Sequence, residues 1–184
     1  MRKLVLLLLL AGCSREPSPW EKIGVRVVDD VPQLDEVEIT LARTECDGWC
    51  PAYTLKLSGG GTLTYTGKAY VKTKGEHMKS FDPRMLQSLL ERFHELNFLT
   101  AKHQCTVRVF DNSHATVALR IGAQSNAERD EVADAYEAAG NMPAEDTLWH
   151  RRMFELEEAI DAAANVEVWI GTQAERQAHG REWR

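Results

Sequence analysis

Residues 43–53 read Arg-Thr-Glu-Cys-Asp-Gly-Trp-Cys-Pro-Ala-Tyr and form the densest group of chemically capable side chains in this 184-residue sequence. Cys46 and Cys50 invite three chemistries. The first is a local disulfide. Bridged Cα atoms lie about 4.4–6.8 Å apart, whereas extended strand would separate these two by roughly 13 Å. The chain must therefore double back, and Asp47-Gly48 supplies turn-forming residues before Pro51 stiffens the exit. The second is a reactive dithiol. The third is a metal site in which Cys46 and Cys50 join Cys105 and His103 as a Cys₃His set. These ligand types suit zinc, but strong zinc signatures pair their ligands more tightly. A structural disulfide is preferred, with the local pairing ahead of one to Cys105. In the chain-entropy model the small loop gains only about 2 kcal/mol, against about 4 for the longer closure.

Trp49 stands between the cysteines. A tight turn would push it outward as an interface anchor of the kind that carries binding energy; the competing expectation folds it back onto a sheet. Arg43 is expected to pin the loop, through Asp47 or through backbone carbonyls. Arg43, Trp49 and Tyr53 are the candidate partner-binding residues. Asp47 and Asp111 read as turn-forming aspartates rather than a paired acid and base. His77, His94 and His114 are scattered without the i, i+4 spacing of a metal pair. The chain contains no G-x-S-x-G, H-E-x-x-H or phosphate-loop pattern. The sequence therefore assigns no catalytic residue, no metal ligand and no cofactor.

The N-terminus carries an address. Arg2 and Lys3 precede the apolar run Leu4 to Leu10, followed by Ala11-Gly12-Cys13-Ser14. Seven apolar residues make about 10 Å of helix, far short of the ~30 Å of a bilayer core, so the run reads as an export signal rather than a span. The stretch resembles a bacterial lipoprotein signal peptide with its lipobox. That resemblance implies cleavage before Cys13, a diacylglyceryl thioether on its sulfur and acylation of the new N-terminus with chains such as palmitate. Ser14 in the following position implies sorting to the outer membrane, with the domain facing the periplasm. Acyl chains at about 0.8 kcal/mol per buried methylene would hold the protein to lipid. Outside the cytoplasm disulfides persist, and lipidation of Cys13 leaves three thiols for one bridge.

Removing residues 1–12 leaves 172 residues, one domain by size. The 22 basic residues lose Arg2 and Lys3, leaving 20 against 28 acidic ones, a net charge of −8. An acidic surface argues against a nucleic-acid partner, which calls for clustered Lys and Arg.

Arg43, Thr44, Cys46, Gly48, Cys50, Pro51 and Tyr53 form an R-T-x-C-x-G-x-C-P-x-Y pattern. It resembles the signature of a bacterial secreted or lipoprotein family known only as a domain of unknown function. The likeness continues through Gly61, Tyr65 and Gly67, the helix after Asp82, Asp111 and Trp169, covering roughly residues 36–171. It implies no activity. T-x-C-x-x-x-C-P also resembles the motif of thioredoxin-like copper-delivery proteins of the Sco type. There the cysteines precede a helix whose dipole lowers the thiol pKa. Here the residues after Pro51 alternate as a strand.

The elements that must position this segment are legible from periodicity. Val37, Ile39 and Leu41 alternate with polar residues, as do Tyr53, Leu55 and Leu57, the period-two pattern of a sheet with one wet face. Gly59-Gly60-Gly61 reads as a turn. Leu63 and Tyr65 return from it, Ala69–Thr73 and His77–Phe81 read as further strands, and Gly24–Asp30 as an edge strand. Asp82-Pro83 reads as the start of a helix, an N-cap followed by a first-position proline, with Leu86, Leu89, Leu90, Phe93 and Leu96 as its apolar stripe. Strands are expected around Val107 and Val109 and over Ala115–Ile121. Residues 123–145 are acidic, Ala-rich and unassigned. A second helix is expected from Ala144 to Ala163, burying Trp149, Met153, Leu156 and Ile160. Val166–Ile170 reads as a short closing strand or hooked tail, with Trp169 under the helix. The expected fold is α+β, an antiparallel sheet of about six strands with two helices packed on one face. The organisation is a signal peptide (1–12), lipidated Cys13 with tether and edge strand (13–35), the α+β domain (36–171) and a polar, mobile tail (172–184). The functional expectation is a lipid-anchored envelope protein, a non-enzymatic binding or structural module with an envelope-protein or cell-wall partner. The alternative is an extracytoplasmic thiol-redox or metal-handling protein using Cys46 and Cys50.

Overall fold

The computed structural model describes residues 16–29, 31–46, 48–101, 113–130, 144–179 and 182–183. The segment read as a signal peptide with Cys13, Asp47, His103, Cys105, the strand expected at Val107 and Val109, Asp111 and residues 131–143 lie outside the described residues. No helix among the described residues is long and apolar enough to cross a membrane.

The fold is α+β. A helical turn, α1 (Pro19–Lys22), leads to a small hairpin, β1 (Val27–Val28) and β2 (Val31–Pro32). The main sheet contains β3 (Val37–Arg43), β4 (Ala52–Ser58), β5 (Thr62–Ala69), β6 (Gly75–Ser80), β7 (Ala115–Ile121) and β8 (Gln124–Asp130). Its six strands are antiparallel throughout, in the order β6-β5-β4-β3-β7-β8. The helices are α2 (Met85–Glu95), α3 (Ala144–Ala164), α4 (Glu167–Ile170) and α5 (Gln173–His179).

The meander β3 to β6 builds outward, and β7 returns to the free side of β3, so β3 and β4 are central. Antiparallel register sorts the connections between two ends. Residues 44–51 and 70–74 and the approach to β7 share one end with the close of β8. The turns at 59–61 and 122–123 and the exit of β6 share the other.

Period-two alternation produces the core. Val37, Ile39, Leu41, Tyr53, Leu55, Leu57, Leu63, Tyr65, Val117 and Leu119 are buried in one row set, joined in a single cluster by Leu86, Leu89, Leu90 and Phe93 of α2 and by Trp149, Met153, Leu156 and Ile160 of α3. Arg43 is the next inward position of β3 after Leu41, a charge where the pattern calls for an apolar residue.

Several boundaries differ from the sequence expectation. The stretch read as a plain tether contains α1, where Ser18 and Glu21 form a reciprocal capping box that satisfies the first free N–H groups of the turn. Ile23 and Val25, just after it, are buried. Helix α2 begins at Met85; Asp82 instead accepts from the Arg84 N–H at 3.0 Å and pairs with the Arg84 guanidinium. The edge strand β8 carries no apolar alternation and was therefore invisible to it. Residues Tyr70–Lys74 connect β5 to β6 rather than forming a strand of their own. Val166–Ile170 holds the helical turn α4, and Trp169 stacks on Tyr65 with ring centroids 4.7 Å apart. The C-terminal stretch read as a mobile tail forms α5, and the Trp183 carbonyl accepts from the Tyr70 N–H at 2.9 Å.

Candidate functional site

The loop between β3 and β4 is held from three directions. Cys46 and Cys50 are joined by a disulfide with Cα atoms 5.5 Å apart. The doubling back expected from the spacing occurs at Gly48, whose N–H donates to the Cys46 carbonyl at 2.8 Å. After Pro51 the chain enters β4 directly, so a strand and not a helix follows the second cysteine.

Thr44 ties the first half of the loop to the approach to β7. Its N–H donates to the His114 carbonyl at 3.1 Å, and the His114 N–H donates to Thr44 Oγ1 at 3.1 Å. The Thr44 hydroxyl also lies 3.1 Å from His114 Nδ1. These bonds prolong the β3–β7 ladder by one residue pair beyond Arg43↔Ala115.

Arg43 and Tyr53 are register partners at the base of the loop, and both reach helix α3. Arg43 Nε and Nη2 donate to Asp161 Oδ2 at 3.0 and 2.9 Å, and Nη1 donates to Glu157 Oε2 at 3.0 Å. Glu158, on the exposed flank, accepts from Nη2 at 3.4 Å. The Tyr53 hydroxyl donates to Asp161 Oδ1 at 2.7 Å and accepts from Arg43 Nε at 3.1 Å. Desolvation by burial, opposed by the guanidinium, holds the Asp161 carboxyl above its ordinary value. Burial first, and the Asp161 charge second, push the Tyr53 hydroxyl well above its usual range, so it stays a donor. Burial opposes the Arg43 charge, but Asp161, Tyr53 and Glu157 outweigh it and raise its pKa. The guanidinium thus fastens a helix, where the sequence suggests Asp47, which lies outside the described residues, or the loop's backbone carbonyls. Tyr53 is 1% exposed, so it supports the loop from beneath.

Glu157 and Asp161 were not identified from the sequence. Their signal was available: acids four apart on α3, each one residue past the buried positions Leu156 and Ile160. A carboxylate flanking an apolar stripe is placed to meet an inward cation, and Arg43 supplied one.

At the tip, Trp49 is 40% exposed, while its ring meets Tyr70 edge-on with centroids 5.8 Å apart. Tyr70 is buried, has a positive φ of 52° and packs with Ala52 and Ala69 in a small separate cluster. Trp49 is therefore not folded back onto the sheet: one side is braced by the β5–β6 connection and the other is presented outward. His77 lies against Tyr65 and His94 on α2, so neither joins this loop. Among the described residues no group of three or more His, Cys, Asp or Glu side chains is arranged to hold a metal ion.

Chemically, the arrangement is a rigid corner. A disulfide limits the loop, a buried ion cluster fixes its base to α3, and one aromatic side chain is offered at its tip. No curated protein matches the chain. A family model does, over residues 37–153, from the first residue of β3 to the middle of α3, including the disulfide loop, Arg43 and Tyr53 but ending before Glu157 and Asp161. This chain belongs to the family described as Domain of unknown function (DUF6438).

Proposed function

We propose that this chain is a lipid-anchored bacterial envelope protein whose domain is a non-enzymatic binding module, meeting an envelope-protein or cell-wall partner at the Cys46–Cys50 corner. The lipobox ending at Cys13 supports the anchor. A disulfide suits an oxidising compartment, in keeping with the periplasmic side of the outer membrane. The observation that carries the binding role is Trp49: half presented, backed by Tyr70, on a loop closed by a disulfide. A pre-ordered aromatic side chain loses little conformational entropy on association, and tryptophan is among the residues that dominate interface energy.

Trp49→Ala should leave thermal unfolding near that of the parent and abolish covalent capture of an envelope partner by a photo-crosslinker placed beside residue 49. Unchanged capture would retire the anchor role. Alkylation followed by mass spectrometry addresses the alternative. A Cys46–Cys50 bridge that survives mild glutathione buffer, with no stoichiometric metal, supports the binding module. A pair that opens and closes readily, or a bound zinc or copper ion, would move the protein to thiol-redox or metal-handling work.

A further inference from the structure

Two facts about chain geometry bear on how such a module would sit at a membrane. The first element among the described residues is capped by the Ser18 side chain, and the Ser18 carbonyl accepts from the Lys22 N–H at 3.1 Å. Trp20 packs on the main core, and Ile23 and Val25 are buried in it. Cys13 is five residues before Ser18. Five residues of fully extended chain reach about 18 Å at most. A lipid on Cys13 would thus hold α1 close to the headgroups instead of letting the domain wander.

The second fact is where α1 lies. Gly24, just after it, approaches Gln124 so closely that a Cβ there would come within 2.8 Å of its Nε2 atom. Gln124 opens β8 immediately after the 122–123 turn. The neighbouring 59–61 turn is also at this end, packed under Leu34 in the segment that leads from β2 to β3. The Trp49 corner is at the opposite end, where β3 ends and β4 begins. A seven-residue strand such as β3 separates the two ends by about 23 Å.

We propose that the anchored domain stands with the 59–61 and 122–123 turns toward the bilayer and the Cys46–Cys50 corner pointing away from it, so that its partner lies across the envelope space and is not a lipid of the anchoring membrane. This rests on the lipid-anchor reading above. The short reach from Cys13 sets the orientation; it needs no direct contact between the domain and lipid.

The test uses the full lipidated protein in vesicles of phosphatidylethanolamine and phosphatidylglycerol carrying an acceptor dye on the headgroup. Donor dyes are placed, one at a time, at Ala123→Cys and Ser113→Cys, exposed positions flanking the two ends of β7, in a Cys105→Ser background. Energy transfer should be strong from position 123 and weak from 113. Equal transfer, or stronger transfer from 113, overturns the orientation. A flexible Gly/Ser insertion between Ser14 and Pro17 should erase the difference. A difference that survives the insertion would overturn the tether as its cause. Failure of the anchor itself is separately visible: a Cys13→Ser variant that still floats with vesicles removes the lipid reading, whatever the dyes report.

Discussion

Arg43 directs two N–H groups, Nε and Nη2, at one oxygen of Asp161, a residue 118 positions further along the chain. The other oxygen of the same carboxylate takes the hydroxyl of Tyr53. One aspartate on α3 thereby gathers the last inward residue of β3 and the second residue of β4, the two strands that carry the disulfide loop. The corner is rigid because its base is bolted to a helix.

The clamp should be costly to break from one side. Removing one partner of a buried ion pair leaves the other charge uncompensated, at about 3–5 kcal/mol. Asp161→Ala is expected to cost about 3 kcal/mol, because Glu157 still faces Arg43. Tyr53→Phe should lose about 1.5–3 kcal/mol, the worth of a hydrogen bond to a charged group. Glu158, with 59% of its side chain exposed, should tolerate alanine within about 0.5 kcal/mol. Urea unfolding of the three variants checks the order, and a loss for Glu158→Ala as large as that for Asp161→Ala would refute it.

Two carboxylates should pull the pH dependence of stability in opposite directions. Burial tends to raise the pKa of Glu38, but hydrogen bonds and charge from Lys56 and Arg120 lower it below its ordinary 4.5. Below that value the unfolded chain binds more protons, so the stability Glu38 contributes is present above pH 4.5 and is lost as pH falls through its folded pKa. Asp161 is shifted upward from 3.8 by burial. The folded chain then holds the extra proton, and stability drains away as pH rises from 3.8 through the folded pKa. In unfolding midpoints measured from pH 3 to 7, Glu38→Gln should flatten the acid-side loss, by less than about 1 kcal/mol for so open a pair. Asp161→Asn should remove the decline on the rising side. Curves for both variants parallel to the parent would disprove the assignment.

The triple-glycine turn should show one sensitive position and one indifferent neighbour. A methyl group on Gly59 would overlap the Leu34 carbonyl oxygen, which belongs to backbone and cannot swing away. Gly60 is exposed, and its nearest neighbour would be Ser58 Oγ at 3.7 Å. Gly59→Ala should therefore cost about 3 kcal/mol or more, at the upper end of overpacking effects, whereas Gly60→Ala should leave the melting temperature nearly unchanged. Differential scanning calorimetry of the pair settles it, with equal melting temperatures as the contrary result.

Much of this molecule is written locally. The alternation in β3, β4, β5 and β7 and the stripes of α2 and α3 declare the class of fold, because burial on one face imposes a period of two on a strand and 3.6 on a helix. The Cys46–Cys50 turn was equally legible, since bridging two cysteines over so short a span leaves the backbone few courses. Strand β8 was not, because an edge strand needs little apolar area and its ladder comes from backbone groups common to every residue. The capping box at Ser18 and Glu21 was present in the sequence but hidden in a stretch that composition marks as a tether.

What the tertiary structure alone decided is where the charges go. Sequence spacing places Arg43 at the end of an inward row and Glu157 and Asp161 beside an apolar stripe. Which of them meet depends on how α3 crosses β3 and β4, a relation between segments more than a hundred residues apart. Periodicity acts within an element, whereas ion pairing acts wherever the chain brings charges together. The alternating strands belong to the first kind of information, and the clamp beneath Trp49 belongs to the second.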